Sequence, residues 1–485
     1  MATRRSDGAG AVTPLSPDSK PGILDRTLTG FRAVWRELAT LGGRTPIAVF
    51  LPTPSETPDS LRKQMSECLE APGGEVSARA RAARLGSCYL DLDAKGRLDF
   101  LRILAHEFGT NPAAVAAAIA AYQAAPDEVR RLEAEEKMRE ALTAPRIKLL
   151  TQFNALPQGV KFLVDMRRDL LRHLDTDFRL GALDRDMRAI LTAWFDIGFL
   201  DLQRITWNSP AALLEKLIAY EAVHEIRGWS DLRNRLDSDR RCYAFFHPRM
   251  PEEPLIFIEV ALVKGIAGSV QALLDESAPV VDPAEVDSAI FYSISNTQEG
   301  LRGISFGNFL IKRVVDDLLT QMPKLKTFST LSPIPGFRRW LERLFADGEP
   351  DLLTVDDRQR LAEATGQTGG KGAFLRLIKS DSWHQDPVLC EAMKPILLRL
   401  CARYLTTKTP GGKPLDPVGR FHLGNGASIE RINWLGDTSP NGMRQSLGIM
   451  VNYLYKLSDI EKNHERHSRD GFIPVSSGVR QLMAA

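Results

Sequence analysis

The sequence predicts an α+β protein, with an all-helical N-terminal half and a mixed α/β C-terminal half. Three observations carry this. Apolar residues recur every three or four positions up to about residue 200. After Trp207, β-branched and aromatic runs of strand length set in. One of these runs leads through a glycine-bearing turn into an amphipathic helix and a further strand, a βαβ-like order. At 485 residues the chain exceeds the size at which one core keeps growing, so two domains are expected.

Residues 1–25 are rich in Gly, Ser, Pro and charge, and disorder is expected there. Residues 26–204 read as a helical domain. Its clearest segments are LDFLRILAHEF (98–108), DEVRRLEAEEKMREALT (127–143) and GVKFLVDMRRDLLRHL (159–174), the last with Leu163, Met166, Leu170 and Leu174 on one stripe. The alanine-rich run 112–126, bracketed by prolines and too short for a bilayer, reads as a buried helix.

Residues 205–485 read as the second domain. RRCYAFFH (240–247) and LIFIEVALV (255–263) predict two strands joined by a proline-rich turn, and AIFYSISNT (289–297) a third. The turn QEGLRGISFGN (298–308) precedes a helix over 309–322, and LKTFSTL (325–331) is the strand that runs into SPIPGFRRW. Helices are expected again over 352–406. Asn425-Gly426 marks a turn ahead of strand-like residues, 444–461 reads as helical, and the tail after Ser468 as frayed.

The 63 basic residues nearly cancel the 61 acidic ones, which excludes a polyanion-binding excess but not a local patch for a phosphorylated small molecule. Five cysteines without a C-x-x-C pair indicate neither a disulfide framework nor a zinc site, and point to a reducing compartment. The N-terminal residues lack an apolar h-region and the chain ends QLMAA, so the cytoplasm is the expected location.

Three places suit chemistry. In the turn Arg302, Gly303, Ile304, Ser305, Phe306, Gly307 and Asn308, backbone N–H groups at a helix N-terminus suit a diphosphate, with Lys312 and Arg313 one turn on. The plainer reading is a connection whose glycines meet local backbone needs. Gly303 to Gly307 also spell G-x-S-x-G, a nucleophile elbow centred on Ser305, with His422 as a late base. The strands and oxyanion motif of an α/β-hydrolase are missing from this sequence. In LSPIPGF, Pro333 and Pro335 fix their own φ and hold the Ser332 hydroxyl in one direction, either for function or simply to stiffen a loop. In FHLGNGA, His422 is suited to proton transfer near neutral pH, with His247 and His384 as the other candidates. His464 and His467 form H-x-x-H in a charged helix end without further ligands, so no metal site is expected.

In this order and spacing, AIFYSISNTQEGLRGISFGNFLIKRVVDDL, TLSPIPGFRRWL and FHLGNGASIERINW resemble the malonyl-CoA decarboxylase family, from about residue 60 to residue 455. The resemblance implies a helical N-terminal domain and a C-terminal catalytic domain of the GNAT acyltransferase fold. It implies that Ser332 is the active-site serine, His422 the catalytic acid and Tyr455 the active-site tyrosine, with Tyr453 as the nearby alternative. The 302–308 turn would hold the CoA diphosphate. The GNAT pattern has Gln or Arg first, glycine fourth, and glycine or alanine sixth; Arg302 and Gly307 fit it, and Ser305 replaces its middle glycine. The implied reaction turns malonyl-CoA into acetyl-CoA and CO2 with no metal or organic cofactor, in a homo-oligomer, tetramers included, without nucleic-acid or membrane partners. The rivals are a GNAT-type acyltransferase to an amine and a non-catalytic acyl-CoA sensor.

Overall fold

The computed structural model describes residues 34–35, 37–38, 57–70, 74–195, 197–282, 284–304, 310–350, 352–367, 370–380 and 382–484. The first 25 residues, expected to be disordered, lie outside the described residues. The chain divides into two compact units, residues 1–190 and 191–485.

The helices of the first unit follow the apolar periodicity: α1 (Pro58–Glu70), α2 (Glu75–Asp91), α3 (Ala94–His106), α4 (Pro112–Gln123), α5 (Glu128–Leu142), α6 (Pro145–Asn154), α7 (Gly159–Leu171) and α8 (Gly181–Trp194), which runs past the division. Leu163, Met166 and Leu170 of α7 are fully buried, among Tyr89, Phe100, Phe153 and Phe162. Leu174, expected on the same stripe, is half-buried beyond the helix end. The alanine-rich helix α4 forms where expected, capped by Asn111 with Pro112 behind it, but none of its residues is buried. Alanine is the strongest helix former and carries little apolar area, so such a helix is stable without a core to enter.

In the second unit the strands are β1 (Asp201–Ile205), β2 (Arg240–Phe246), β3 (Ile256–Val263), β4 (Ser288–Asn296), β5 (Thr327–Thr330), the short β6 (Ser332–Pro333), β7 (Ser428–Asn433) and β8 (Met450–Leu454). They form one sheet in the order β1-β2-β3-β4-β5-β8-β6, with β7 also paired to β8. Helices α9 (Ala211–Tyr220) and α10 (Trp229–Arg235) lie between β1 and β2 in sequence. Leu214, Leu217 and Leu232 on them pack with Cys242, Ala244 and Phe246 of β2. The short α11 (Val270–Leu273) joins a second cluster with Ala261, Ile290, Tyr292, Leu331 and Met450.

Every pairing in the sheet is antiparallel except β4 with β5, which α12 (Leu310–Gln321) joins as a crossover, burying Leu310, Ile311, Val314, Val315 and Leu318 along one face. β4 and β5 stay paired only from Ser288↔Thr327 to Phe291↔Thr330. Beyond Thr330 the chain turns to β8, where Ser332 opposes Val451, while β4 runs on to Asn296 against β3. The strands therefore part next to Ser332.

Helices α13 (Phe337–Ala346), α14 (Val355–Thr365), α15 (Lys371–Lys379), α16 (Pro387–Thr406) and α17 (Pro417–Gly424) separate β6 from β7. Helix α18 (Pro440–Ser446) precedes β8, and α19 (Ile460–Asp470) and α20 (Ser477–Ala484) follow it.

Two expectations are corrected. The stretch 444–461 is not a helix: α18 stops at Ser446, Leu447 and Gly448 take positive φ, and Met450–Leu454 enter the sheet with the β5–β6 segment on one edge and β7 on the other. A five-residue run buried on both faces, with Asn452 the lone polar residue among apolar ones, has no alternation to reveal it as a strand. The tail is not frayed either. Ile429 N donates to the Pro474 carbonyl, Ser476 N donates to the Ile429 carbonyl, and Val479 of α20 is buried. Strand β1, DLQRI, went unpredicted because it is short and mostly polar.

Gly426 tests the packing of this region. Its φ is +84°, and a Cβ there would meet the Ile460 carbonyl at 2.3 Å. Gly426→Ala is expected to destabilise the protein by roughly 2–4 kcal/mol, a left-handed residue plus overpacking, as read from the denaturation midpoint at unchanged slope.

Candidate active site

Ser332 follows the point where β5 gives out, with Pro333 set against Met450 of β8. Proline offers no N–H to a ladder, and the two prolines limit the loop to extended conformations. The Ser332 hydroxyl, 5% exposed, donates to Thr330 Oγ1 at 2.8 Å. Thr330 is itself fixed: its Oγ1 accepts from Tyr453 N at 3.0 Å, and its carbonyl accepts from Asn452 Nδ2 at 2.6 Å.

His422 lies in the last turn of α17. That helix starts on Asp416, whose carboxylate accepts from Gly419 N at 2.7 Å, with Pro417 in the first turn. The helix ends by turning through Asn425 and Gly426, and Ala427 N donates to the His422 carbonyl at 3.1 Å. Tyr455, just past β8, is pinned by its own N–H to the Phe328 carbonyl at 2.8 Å.

These elements bring the three sequence candidates into one buried line. His422 Nε2 is 3.2 Å from Ser332 Oγ, and His422 Nδ1 is 2.8 Å from the Tyr455 hydroxyl. The proton positions follow from the network. Ser332 gives its one hydrogen to Thr330, so Nε2–H donates to Ser332, and the Tyr455 hydroxyl donates to Nδ1. Burial lowers the His422 pKa to about 3, so the ring is neutral. Burial also holds the Tyr455 phenol well above its usual range, so it stays a donor.

Tyr453 has a different place. Its ring stacks on the His422 imidazole at 4.6 Å and 25°, and its buried hydroxyl has no hydrogen-bond partner among the described residues. A Cβ on Gly419 would come within 3.0 Å of that hydroxyl, so the glycine admits the tyrosine beside the helix.

Sequence reasoning missed the brace around this line. Tyr404 of α16 donates its hydroxyl to Asp416 at 3.2 Å, and a Cβ on Gly336 would meet that same hydroxyl at 2.2 Å. Tyr404 therefore wedges between the loop that carries Ser332 and the cap of the helix that carries His422. Asp416 is buried, which pushes its carboxyl up to about 6 against the hydrogen bonds it accepts from Gly419, Tyr404 and Val418. The Asp-Pro pair at 416–417 was a legible start signal for that helix; nothing in the sequence marks Tyr404.

The other candidates fall elsewhere. His247 places Nε2 3.0 Å from the Trp194 carbonyl and accepts from Arg249 N at Nδ1. His384 sits beside Trp383 on the turn Trp383–Gln385. His464 and His467 face the Gly424 and Phe472 carbonyls. Among the described residues no group of His, Cys, Asp and Glu is arranged to hold a metal. In the proposed diphosphate turn, Arg302 is exposed, Gly303 has φ +80°, and Ile304 N donates to the Leu301 carbonyl. Ser305, Phe306, Gly307 and Asn308 lie outside the described residues. Of the two basic residues on α12, Lys312 pairs with Glu461 and Arg313 donates to the Leu200 carbonyl.

Residues 198–485 match the family model described as malonyl-CoA decarboxylase C-terminal domain, and residues 108–195 the one described as malonyl-CoA decarboxylase N-terminal domain. The chain belongs to the malonyl-CoA decarboxylase family. Within it, the protein named malonyl-CoA decarboxylase, mitochondrial, of Anser anser anser is 40% identical over 424 residues, 84% of each chain. The Mus musculus protein of the same name is 35% identical over 97% of this chain and 95% of its own. The crystal structure of malonyl-CoA decarboxylase from Rhodopseudomonas palustris shares 44% identity and a TM-score of 0.80, covering 88% of this chain and 99% of that one. The one from Agrobacterium vitis gives 44% and 0.78, covering 87% and 99%. Among the described residues no helix is long and apolar enough to cross a membrane.

The Tyr404 wedge predicts a rescue. Gly336→Ala should cost about 1–3 kcal/mol by overpacking, and adding Tyr404→Phe, which removes the atom in the way, should recover most of the loss in urea denaturation.

Proposed function

We propose that this member of the family decarboxylates malonyl-CoA to acetyl-CoA and CO2, with Ser332 orienting the malonyl group and His422 supplying the proton. The observation that carries the reading is the buried hydrogen-bonded line Ser332–His422–Tyr455 beside the parting of β4 and β5. Membership of a family whose relatives carry that activity in their names supports it.

When the C–C bond to the carboxylate breaks, CO2 departs and the electron pair stays on the carbon next to the thioester carbonyl. The thioester takes up that charge as an enolate, so the thioester itself is the electron sink. The Nε2–H proton of His422 passes to the carbon as Tyr455 gives its proton to Nδ1; a solvent proton then returns to Nε2 and the Nδ1 proton to the tyrosine, which restores the starting tautomer. One proton is consumed per turnover. A positioned acid of this kind contributes about 10²- to 10⁴-fold.

The direction of the hydrogen bonds supports an orienting serine over a nucleophilic one. A nucleophile needs the histidine lone pair at its hydroxyl and an anionic acceptor behind the ring. Here Nε2 carries the proton, and the group behind the ring is a neutral phenol. Pro333 and Pro335, both half-buried, would limit solvation of the departing carboxylate. Arg302 to Asn308 are the residues we assign to the CoA diphosphate, at the start of α12.

A homo-oligomer, up to a tetramer, belongs to the same reading, and the exposed Val129, Leu132 and Leu142 of α5 support self-association. The curated relatives are named as mitochondrial proteins, so the cytoplasmic expectation for this chain rests on its own sequence.

Purified protein given malonyl-CoA and no acceptor should release CO2 and acetyl-CoA in equal amounts; CoA consumption that waits for an added amine would sink the reading. His422→Asn should lower kcat by about 10²- to 10⁴-fold with KM nearly unchanged. Ser332→Ala should slow turnover, and intact-mass analysis of the parent protein under turnover should find no acyl adduct on Ser332.

The pH profile separates a neutral acid from a charged one. With His422 titrating at about 3, its neutral Nε2–H form persists from acid to alkaline pH, so kcat/KM should stay level as pH rises through about 6.5. An imidazolium acid of ordinary pKa would instead lose activity roughly tenfold per unit above that point.

A further inference from the structure

The line Tyr455–His422–Ser332 holds three hydrogens, one on each hydroxyl and one on the neutral imidazole, but only two contacts in which to place them. One hydrogen is left over and must leave the line at an end. Whichever end takes it fixes the direction of the other two.

The tyrosine end offers no acceptor. Tyr455 is 2% exposed, and among the described residues its hydroxyl has no hydrogen-bond partner besides His422. The serine end has one. Thr330 Oγ1 lies 2.8 Å from the Ser332 hydroxyl, in a geometry that makes the serine the donor.

That acceptor is held in place from two sides. Thr330 is fully buried, Tyr453 N donates to the same oxygen at 3.0 Å, and Asn452 Nδ2 donates to the Thr330 carbonyl at 2.6 Å. Asn452 is itself fully buried, accepting from Asn433 Nδ2 at 2.8 Å and donating to the Ala267 carbonyl at 3.0 Å. Turning the threonine oxygen away would unpair the Tyr453 N–H inside the core.

We propose that Thr330 is a positioning residue that sets the direction in which the line carries its proton, from Tyr455 through the ring toward Ser332. The inference rests on the decarboxylase reading, in which Nε2–H must face the new carbanion. Run the other way, the same side chains would turn a bare Nε2 lone pair to the serine hydroxyl, the arrangement of a base with its nucleophile. Thr330 also makes the Nε2–H form the one to which the site returns after each turnover.

Nitrogen NMR of the full chain carrying isotope-labelled histidine reads the tautomer without substrate, the His422 signals being those lost in His422→Asn. The parent should carry the proton on Nε2 alone. Thr330→Val keeps the side-chain shape and removes the acceptor, so neither direction is favoured and the Nδ1–H form should appear. Thr330→Ser should return the parent pattern.

In turnover of malonyl-CoA, Thr330→Val should lower kcat roughly two- to tenfold with KM unchanged, as the competent tautomer loses population. In a Ser332→Ala background the same substitution should change kcat by about twofold at most, because the path to the ring is already cut. The unpaired Tyr453 N–H is common to both backgrounds, so a purely structural role would lower both alike. Thermal melting checks each protein, and Thr330→Ala replaces a valine variant that does not fold. A parent ring protonated at Nδ1, a variant ring still protonated wholly at Nε2, or an equal loss of kcat in the two backgrounds would overturn the assignment. A parent that yields no acetyl-CoA would instead remove the decarboxylase reading and leave the tautomer result standing.

Discussion

The hydroxyl of Thr330 accepts one hydrogen bond from the main chain of β8 and another from Ser332, and the geometry of the site follows from that double acceptance. The first bond ties the end of β5 to β8, its neighbour on the edge opposite β4. The second takes the only hydrogen Ser332 has, which obliges Nε2 of His422 to donate and Nδ1 to accept. One threonine thus sets both the position of the serine and the tautomer of a histidine 90 residues further along. Asn452, with its amide on the Thr330 carbonyl, closes the same junction from the β8 side.

Burial does the electrostatic part. In most proton-transfer sites a carboxylate behind the imidazole favours its charged form. Here the ring is sandwiched between a stacked tyrosine and a hydrogen-bonded one, both kept protonated by burial. Desolvation is the sole cause of the His422 shift, and no counter-charge opposes it. A neutral acid suits a carbanion, which is basic enough to take a proton from uncharged imidazole. In the proposed reaction it would also avoid placing a cation where it holds the substrate carboxylate in its ionised ground state.

Much of this was legible in the sequence because it depends on local rules. The βαβ unit, the proline-stiffened serine and the turn after His422 each carry a short-range signature. What escaped depends on tertiary context. Strand β8 is buried on both faces and mostly apolar, so its five residues are indistinguishable by period from a helical segment. Tyr453 and Tyr455 are two residues apart and so share a side of the chain; only their distances to the two sides of one imidazole separate a stacking role from a hydrogen-bonding one. Tyr404 acts through a hydroxyl lodged against Gly336 and Asp416, 68 residues before it in one case and 12 after it in the other, and no pattern spans such separations. The exposure of α4 was hidden for the opposite reason, since alanine reads as apolar while having almost nothing to bury.

The insertion of β8 between the β5–β6 segment and β7 bears on the order in which the protein assembles. β5 and β6, one residue apart in the chain, are synthesised more than 100 residues before β8, the strand that covers their shared edge. A nascent chain that has emerged as far as α18 holds Ser332 and His422 but lacks the strand that aligns them and the tyrosine that fixes the imidazole. Its sheet ends on an open β5 edge, a template for wrong pairing until Met450–Leu454 arrive. Long-range closure of this kind is slow, and the Ser332–His422–Tyr455 line waits on it. The C-terminal tail, which pairs with β7 through Ile429, then seals the last strand in place.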